Sequence, residues 1–227
     1  MHKKTVLITG ASRGIGLATA QKFISEGWQV IGTSVRNSIP IHSPNLFPIR
    51  LDQGSPASIS SAAAKITRAH KTLDVLVNNA GIILDAKDTL ADVKKIRRTF
   101  EVDVVGLIDL TEHLLPLMRP GSHVINLDSQ YGSFSFPIDD KTATGYRLAK
   151  AALNMYTRTL AFRLKDKKIT VSSLDPGWVK TDMGFAVSTE TEKPVREPSE
   201  PAGYIFKLAT TKVTSGCFWR LGHKRAW

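Results

Sequence analysis

Cysteine is almost absent from this chain of 227 residues, where only Cys217 carries a thiol. No intrachain disulfide can staple the fold and no Cys-rich zinc site can form, so a reducing compartment, the cytoplasm, is the expectation, with no bound metal. Long apolar runs are also missing. No stretch approaches the ~20 residues that span a bilayer, and no membrane partner is expected. Met1-His2-Lys3-Lys4 followed by Thr5-Val6-Leu7-Ile8-Thr9-Gly10 has the basic start of a signal peptide, but its apolar patch is too short and reads as a first strand. Acidic residues are scarce relative to basic ones, 20 against 31, leaving a net charge of +11. That balance favours anionic partners: nucleic acid, acidic lipid or a phosphorylated small molecule. The densest basic stretch, Arg158 to Lys168 with Asp166 as its one acid, reads as a solvated helix end. No nucleic-acid motif accompanies it, and no nucleic-acid partner is expected.

Repeats and low-complexity tracts are lacking too, and no break in composition divides the chain, so residues 1–227 read as one domain. Pro194, Pro198 and Pro201 among Ser, Thr and Glu mark a mobile loop near 184–201. Upstream, β-rich apolar runs near 4–9, 28–34, 47–51, 73–77, 122–127 and 169–174 alternate with helical patterns. This alternation predicts an α/β fold, a parallel sheet covered by helices on both faces. In such open sheets ligands sit beyond the carboxyl ends of the strands, so the residues just after each run are the candidates for chemistry.

After the first run comes Thr9-Gly10-Ala11-Ser12-Arg13-Gly14-Ile15-Gly16, then a helical pattern through Leu17, Ala20, Phe23 and Ile24. Glycines allow a tight turn, and the helix start presents N–H groups to an anion such as a dinucleotide pyrophosphate. The same residues spell G-x-S-x-G, Gly10 to Gly14, which is also what the nucleophile elbow of a serine hydrolase requires. Ser12 would then need a late histidine, and His223 is the obvious one; Gly16 has no part in that reading.

Tyr146 and Lys150 lie four residues apart among strong helix formers and share one face. A fixed ammonium beside a phenol favours the phenolate and lowers a pKa that is otherwise near 10, so the tyrosine can exchange a proton with a carbonyl oxygen. Further polar groups follow other strands: Asn78-Asn79-Ala80-Gly81 after the fourth, Ser129 within Asn126 to Gly132 after the fifth, and Pro176-Gly177 after the sixth.

With these residues the sequence resembles the classical short-chain dehydrogenase/reductase family. T-G-x-x-x-G-x-G is met by Thr9, Gly10, Gly14 and Gly16, N-N-A-G by Asn78 to Gly81, and Y-x-x-x-K by Tyr146 and Lys150. Gly216-Cys217-Phe218-Trp219 and Trp227 look like the ending of carbonyl-reductase-like members. The resemblance implies a Rossmann-like domain, doubly wound around a seven-stranded parallel sheet. It also implies hydride transfer between a nicotinamide cofactor and a ketone, aldehyde or secondary alcohol. In that scheme Tyr146 is general acid or base, Ser129 holds the carbonyl oxygen, and Lys150 lowers the tyrosine pKa and grips the nicotinamide ribose. The cofactor groove would be lined by Gly10, Ser12, Arg13, Gly14, Ile15, Gly16, Asp52, Asn79, Ala80, Gly81, Pro176, Gly177, Val179 and Thr181, with Tyr146 and Lys150. Asp103 stands where many members have a catalytic asparagine, and an acid there would act on Lys150 or the proton relay.

Members that use NAD end the second strand with an acid for the adenosine ribose; here that place holds Ser34. Ser34, Arg36 and Arg13 can instead donate to a 2′-phosphate, so NADP(H) is the expected cofactor, with NAD(H) the second choice. A non-catalytic NADP(H)-sensing protein on the same fold is a further alternative. On the helix bearing Tyr146, Ala149, Leu153, Tyr156 and Leu160 form one apolar stripe and Leu148, Ala151, Met155 and Phe162 a second. The second stripe needs cover from the helix near 101–118 or from another copy of the chain, and the resemblance implies a homodimer or homotetramer. The substrate would be set by loops near 85–95, 133–144 and 178–201.

Overall fold

The computed structural model describes residues 3–227; Met1 and His2 of the basic lead-in lie outside the described residues. Eight strands, β1 (Thr5–Ile8), β2 (Gln29–Ser34), β3 (Leu46–Arg50), β4 (Leu73–Asn78), β5 (Met118–Leu127), β6 (Thr170–Asp175), β7 (Cys217–Arg220) and β8 (His223–Arg225), form one sheet in the order β3-β2-β1-β4-β5-β6-β7-β8. The first seven are mutually parallel. The expected seven-stranded parallel sheet therefore gains an eighth, antiparallel strand, in which Arg225, Lys224 and His223 pair with Phe218, Trp219 and Arg220. Its side chains are exposed, so it has none of the apolar alternation by which a strand is read from sequence.

Among the described residues seven α-helices connect the strands: α1 (Gly14–Ser25), α2 (Pro56–Ala69), α3 (Val93–Phe100), α4 (Gly106–Leu114), α5 (Thr144–Arg163), α6 (Asp182–Ala186) and α7 (Ser199–Thr210). The alternation of side chains along each strand divides the core in two. Leu7, Ile31, Leu76, Val124 and Val171 point to one face and pack with Ile59, Ile66, Leu110, Leu114 and Leu160 of α2, α4 and α5. Val6, Ile8, Val30, Val77 and Ile125 point to the other and meet Ala20, Phe23, Ile205 and Leu208 of α1 and α7. On that face Phe23 makes edge contacts with Trp28 and Phe206, at 5.1 and 5.0 Å between ring centres.

The strand order reverses between β1 and β4. After β3 the chain crosses back to the other side of β1, and the crevice at such a switch point, beyond the carboxyl ends of the strands, is where doubly wound sheets bind ligands. The region near 101–118 is not the single helix expected. Glu101–Val105 forms a π-helical turn between α3 and α4, and Gln53 Nε2 donates to the carbonyl of Val102 at 2.7 Å. A β-carbon on Gly106 would lie 1.8 Å from the carbonyl oxygen of Gln53, so only glycine admits this close approach at the start of α4. The 184–201 segment contains part of α6, a bridge between Arg196 and Val179, and the first turn of α7.

Candidate active site

The glycine loop runs from the end of β1 into α1 and is tied to the end of β4. The amides of Asn79 and Ala80 donate to Thr9 Oγ1 at 3.0 and 2.9 Å. Asn79 Nδ2 returns bonds to the carbonyls of Thr9 and Gly10 at 2.8 and 3.2 Å. Gly10 and Gly14 have φ of 68° and 56°, in the left-handed region that glycine enters without strain. A β-carbon on Gly16 would sit 2.2 Å from the Gly10 carbonyl oxygen. Arg13, at the N-cap of α1, provides no side-chain cap, and no acid lies in the first turn. An uncapped helix start behind a turn whose glycines allow close approach of the backbone fits the pyrophosphate of a dinucleotide.

Around this loop the other expected cofactor residues take definite places. Ser34 is buried at the end of β2; its hydroxyl accepts from the Ser38 amide at 3.0 Å and donates to the Ser38 carbonyl at 3.2 Å. Arg36 is exposed just beyond the strand. Arg13 reaches across the cleft to an ion pair with Asp182. Asp52 accepts from the Gly54 amide at 2.9 Å and lies 3.8 Å from Arg98. Thr181 caps α6 by accepting from the Gly184 amide at 3.1 Å, and its methyl would be 3.0 Å from a β-carbon on Gly14. Gly177 has a φ of 77°, and Val179 is buried beside it.

A cavity of about 710 Å³ opens beside the glycine loop. Its walls include Ile15, Ser129, Tyr131, Tyr146, Pro176, Gly177, Val179 and Thr181. Ser129 follows β5, where its amide donates to Asp128 Oδ1 at 2.7 Å and its hydroxyl accepts from the Tyr131 amide at 3.2 Å. Tyr146 lies in the first turn of α5. One turn later, Lys150 Nζ is 5.4 Å from the tyrosine ring centre and donates to the carbonyl of Leu127 at 3.1 Å. Asp103, carried on the π-helical turn, is fully buried, with Oδ2 3.4 Å from Lys150 Nζ and Oδ1 accepting from the Ile82 amide at 2.9 Å.

The titrations follow from burial and from this charge cluster. Burial pushes the Tyr146 hydroxyl up to about 12, and Lys150 pulls it down without offsetting the burial. Lys150 thus acts in the expected direction, against burial, and without a ligand the phenol is protonated at neutral pH, as an unperturbed tyrosine also is. Burial depresses the Lys150 ammonium, but the Tyr146 phenolate at high pH and the Asp103 and Asp128 carboxylates outweigh it and raise its pKa above the usual lysine range. Burial raises the Asp103 carboxyl against the pull of Lys150.

Two neighbouring carboxyls were not singled out by the sequence patterns. Asp128 is pushed up to about 7, chiefly by burial, and its Oδ2 has no hydrogen-bond partner. Asp175 is also raised by burial, against the Gly177 amide and Arg220, whose Nε lies 3.0 Å from it. Their only local signal was an acid ending each of two apolar runs. It is the pairing of Leu127 with Leu174 that brings the residues after them to adjacent strand ends.

Ser12 and His223 do not meet. They follow β1 and begin β8, strands five steps apart in the sheet, roughly 24 Å at the usual strand spacing. The Ser12–His223 pairing of a serine hydrolase is thereby not formed, and that alternative is not favoured. Among the described residues no group of three or more His, Cys, Asp or Glu is arranged to hold a metal ion, and no helix is long and apolar enough to cross a membrane.

Comparison with known proteins agrees with this geometry. The fold superposes on an NADPH-bound carbonyl reductase from chicken fatty liver with a TM-score of 0.86, 29% identity and full coverage of both chains. It superposes on the carbonyl reductase Sniffer of D. melanogaster with a TM-score of 0.84, 27% identity and again full coverage. A serine 3-dehydrogenase from Rhizobium radiobacter is 32% identical over 185 residues, 78% of this chain and 73% of that one. Residues 4–192 match the short chain dehydrogenase family, and with its glycine loop, its Ser129, Tyr146 and Lys150 and its doubly wound sheet, this chain belongs to that family.

Proposed function

We propose that this chain is an NADP(H)-dependent oxidoreductase that interconverts a ketone or aldehyde with the corresponding secondary or primary alcohol. The observation that carries the reading is the convergence of Ser129 and Tyr146 on one cavity, with Lys150 one helical turn below the tyrosine. Similarity to a carbonyl reductase described as NADPH-bound supports the cofactor assignment, as does the absence of an acid at Ser34. Bound in the crevice, the nicotinamide supplies or accepts the hydride.

The chain's own groups handle orientation and the proton. The Ser129 hydroxyl donates to the carbonyl oxygen and fixes it against Tyr146. The Tyr146 phenol, protonated at neutral pH, gives its proton to that oxygen in reduction and recovers it in oxidation. Lys150, held charged, stabilises the phenolate left behind. Asp103 anchors Lys150 through charge, in place of a neutral amide, and is the nearest buried carboxyl able to take up a proton passed along that ammonium. The uncapped start of α1, with Gly10, Ser12, Gly14, Ile15 and Gly16, would hold the pyrophosphate, and Ser34 and Arg36, with Arg13 once it leaves Asp182, would hold the 2′-phosphate. Asp52 would contact the adenine. Asn79, Ala80 and Gly81 would line the groove, and Pro176, Gly177, Val179 and Thr181 would lie beside the nicotinamide. The unit is one domain over residues 1–227, and its second α5 stripe packs against a second copy.

A panel of aliphatic and aromatic ketones and aldehydes, followed by loss of NADPH absorbance, tests the reading. Turnover of at least one carbonyl compound with NADPH is expected; tight NADPH binding with no turnover across the panel would favour a sensing protein instead.

A further inference from the structure

We propose that Asp85 is a positioning residue for catalysis, which caps α5 from a distant loop and so sets the place of the Tyr146 hydroxyl. The inference rests on the assignment of Tyr146 above. Helix starts need acceptors for their first N–H groups, normally supplied by a Ser, Thr, Asp or Asn at the N-cap. Here the N-cap is Ala143, in the left-handed region at φ 58°, with no side-chain oxygen to offer. The need is met from 60 residues away. Asp85 Oδ2 accepts from the Gly145 amide at 2.5 Å, and the Asp85 carbonyl accepts from the Ala143 amide at 3.1 Å.

The contact is built on both sides. Asp85 is 3% exposed, so its carboxylate is taken out of water to serve this one helix end, where the macrodipole and a charge-assisted bond both favour an anion. A β-carbon on Gly145 would lie 3.0 Å from Asp85 Oδ2 and 2.9 Å from Ile96 Cγ1, so the approach depends on glycine immediately before Tyr146. Asp85 also follows Gly81 of the cofactor turn by four residues, and its neighbours Ile83, Ala86 and Lys87 line the substrate cavity. One side chain thus couples the cofactor turn, the cavity wall and the helix that carries Tyr146 and Lys150. Misplacement of a reacting group by about 1 Å can cost on the order of 100-fold in rate, so the register of this helix start bears on turnover directly.

Two readouts test the proposal, one of which needs no substrate. Amide hydrogen exchange over residues 144–148, measured with NADPH present, is expected to speed up at least tenfold in Asp85→Ala. In Asp85→Asn, whose amide oxygen can still accept from Gly145, it is expected to stay close to wild type. On a carbonyl substrate, kcat should fall tenfold or more in Asp85→Ala with the NADPH dissociation constant within twofold, and Asp85→Asn should recover kcat to within about threefold. Gly145→Ala, which disturbs the contact from the helix side, should lower kcat in the same way and provides the test if Asp85→Ala does not fold. Unchanged exchange in Asp85→Ala, or a lower melting temperature with kcat intact, overturns the proposal, as does an Asp85→Asn variant as impaired as Asp85→Ala. If the wild type turns over no carbonyl compound, the assignment of Tyr146 fails first, and the exchange measurement still decides whether Asp85 holds the helix start.

Discussion

Replacing Asp128 by Asn should change the pH dependence of stability in a way that reads the charge state of the catalytic floor. In the folded chain burial pushes the Asp128 carboxyl up to about 7, whereas in an unfolded chain an aspartate titrates near ~3.9. The folded state therefore binds the proton more tightly. The stability this confers is complete below about pH 4, declines as the pH rises between the two values, and is gone above about pH 7. A difference of about three pKa units at 1.36 kcal/mol each amounts to roughly 4 kcal/mol across that window. Asparagine has no proton to lose but can still accept from the Ser129 amide, and it leaves one buried polar atom unpaired, as the acid does. Urea unfolding of wild type and Asp128→Asn at pH 4.5, 6 and 8 should show the two converging at low pH. At pH 8 the variant should be ahead by up to about 4 kcal/mol relative to its standing at pH 4.5, or roughly 10 °C in Tm for a chain of this size. Parallel pH profiles for the two proteins would mean that Asp128 is ionised throughout, and the charge balance drawn around Lys150 would be wrong.

Two further outcomes follow from named contacts. Ser34→Asp places a carboxylate at the buried end of β2, where it repels a 2′-phosphate and can accept from ribose hydroxyls; NADPH binding should weaken at least tenfold and NADH binding should not, and equal dissociation constants for both cofactors in the wild type refute the assignment. Leu148, Met155 and Phe162 of α5 are 49%, 56% and 82% exposed while Ala149, Leu153 and Leu160 are buried, so light scattering at micromolar concentration should give at least twice the chain mass, reduced by Met155→Glu; a monomer mass independent of concentration contradicts a second copy on this face.

What could be read from the sequence was whatever local chemistry encodes. The glycine loop was legible because φ near 60° at Gly10 and Gly14 and the close approach at Gly16 each demand glycine. The Tyr146 and Lys150 pair was legible because one helical turn places them together whatever the rest of the chain does. Contacts made between distant segments were not. The π-helical turn at Glu101–Val105 depends on Gln53, 49 residues from its partner Val102, and the capping of α5 depends on Asp85 across 60 residues. Asp128, just after β5, and Asp175, at the end of β6, become a cluster only through the register of two strands. The downward pull of Lys150 on the tyrosine was legible from their spacing, while the opposing effect of burial was not, since spacing says nothing of how deeply the phenol lies.

The central claim, that Tyr146 moves the proton while the nicotinamide moves the hydride, is tested most directly by Tyr146→Phe. This substitution removes one oxygen from a residue that is 9% exposed and keeps the ring. On a carbonyl compound reduced by the wild type, kcat is predicted to fall by on the order of 100-fold or more, as for loss of a general acid, with NADPH binding retained. Turnover by Tyr146→Phe at the wild-type rate, with NADPH bound as tightly, would contradict the mechanism.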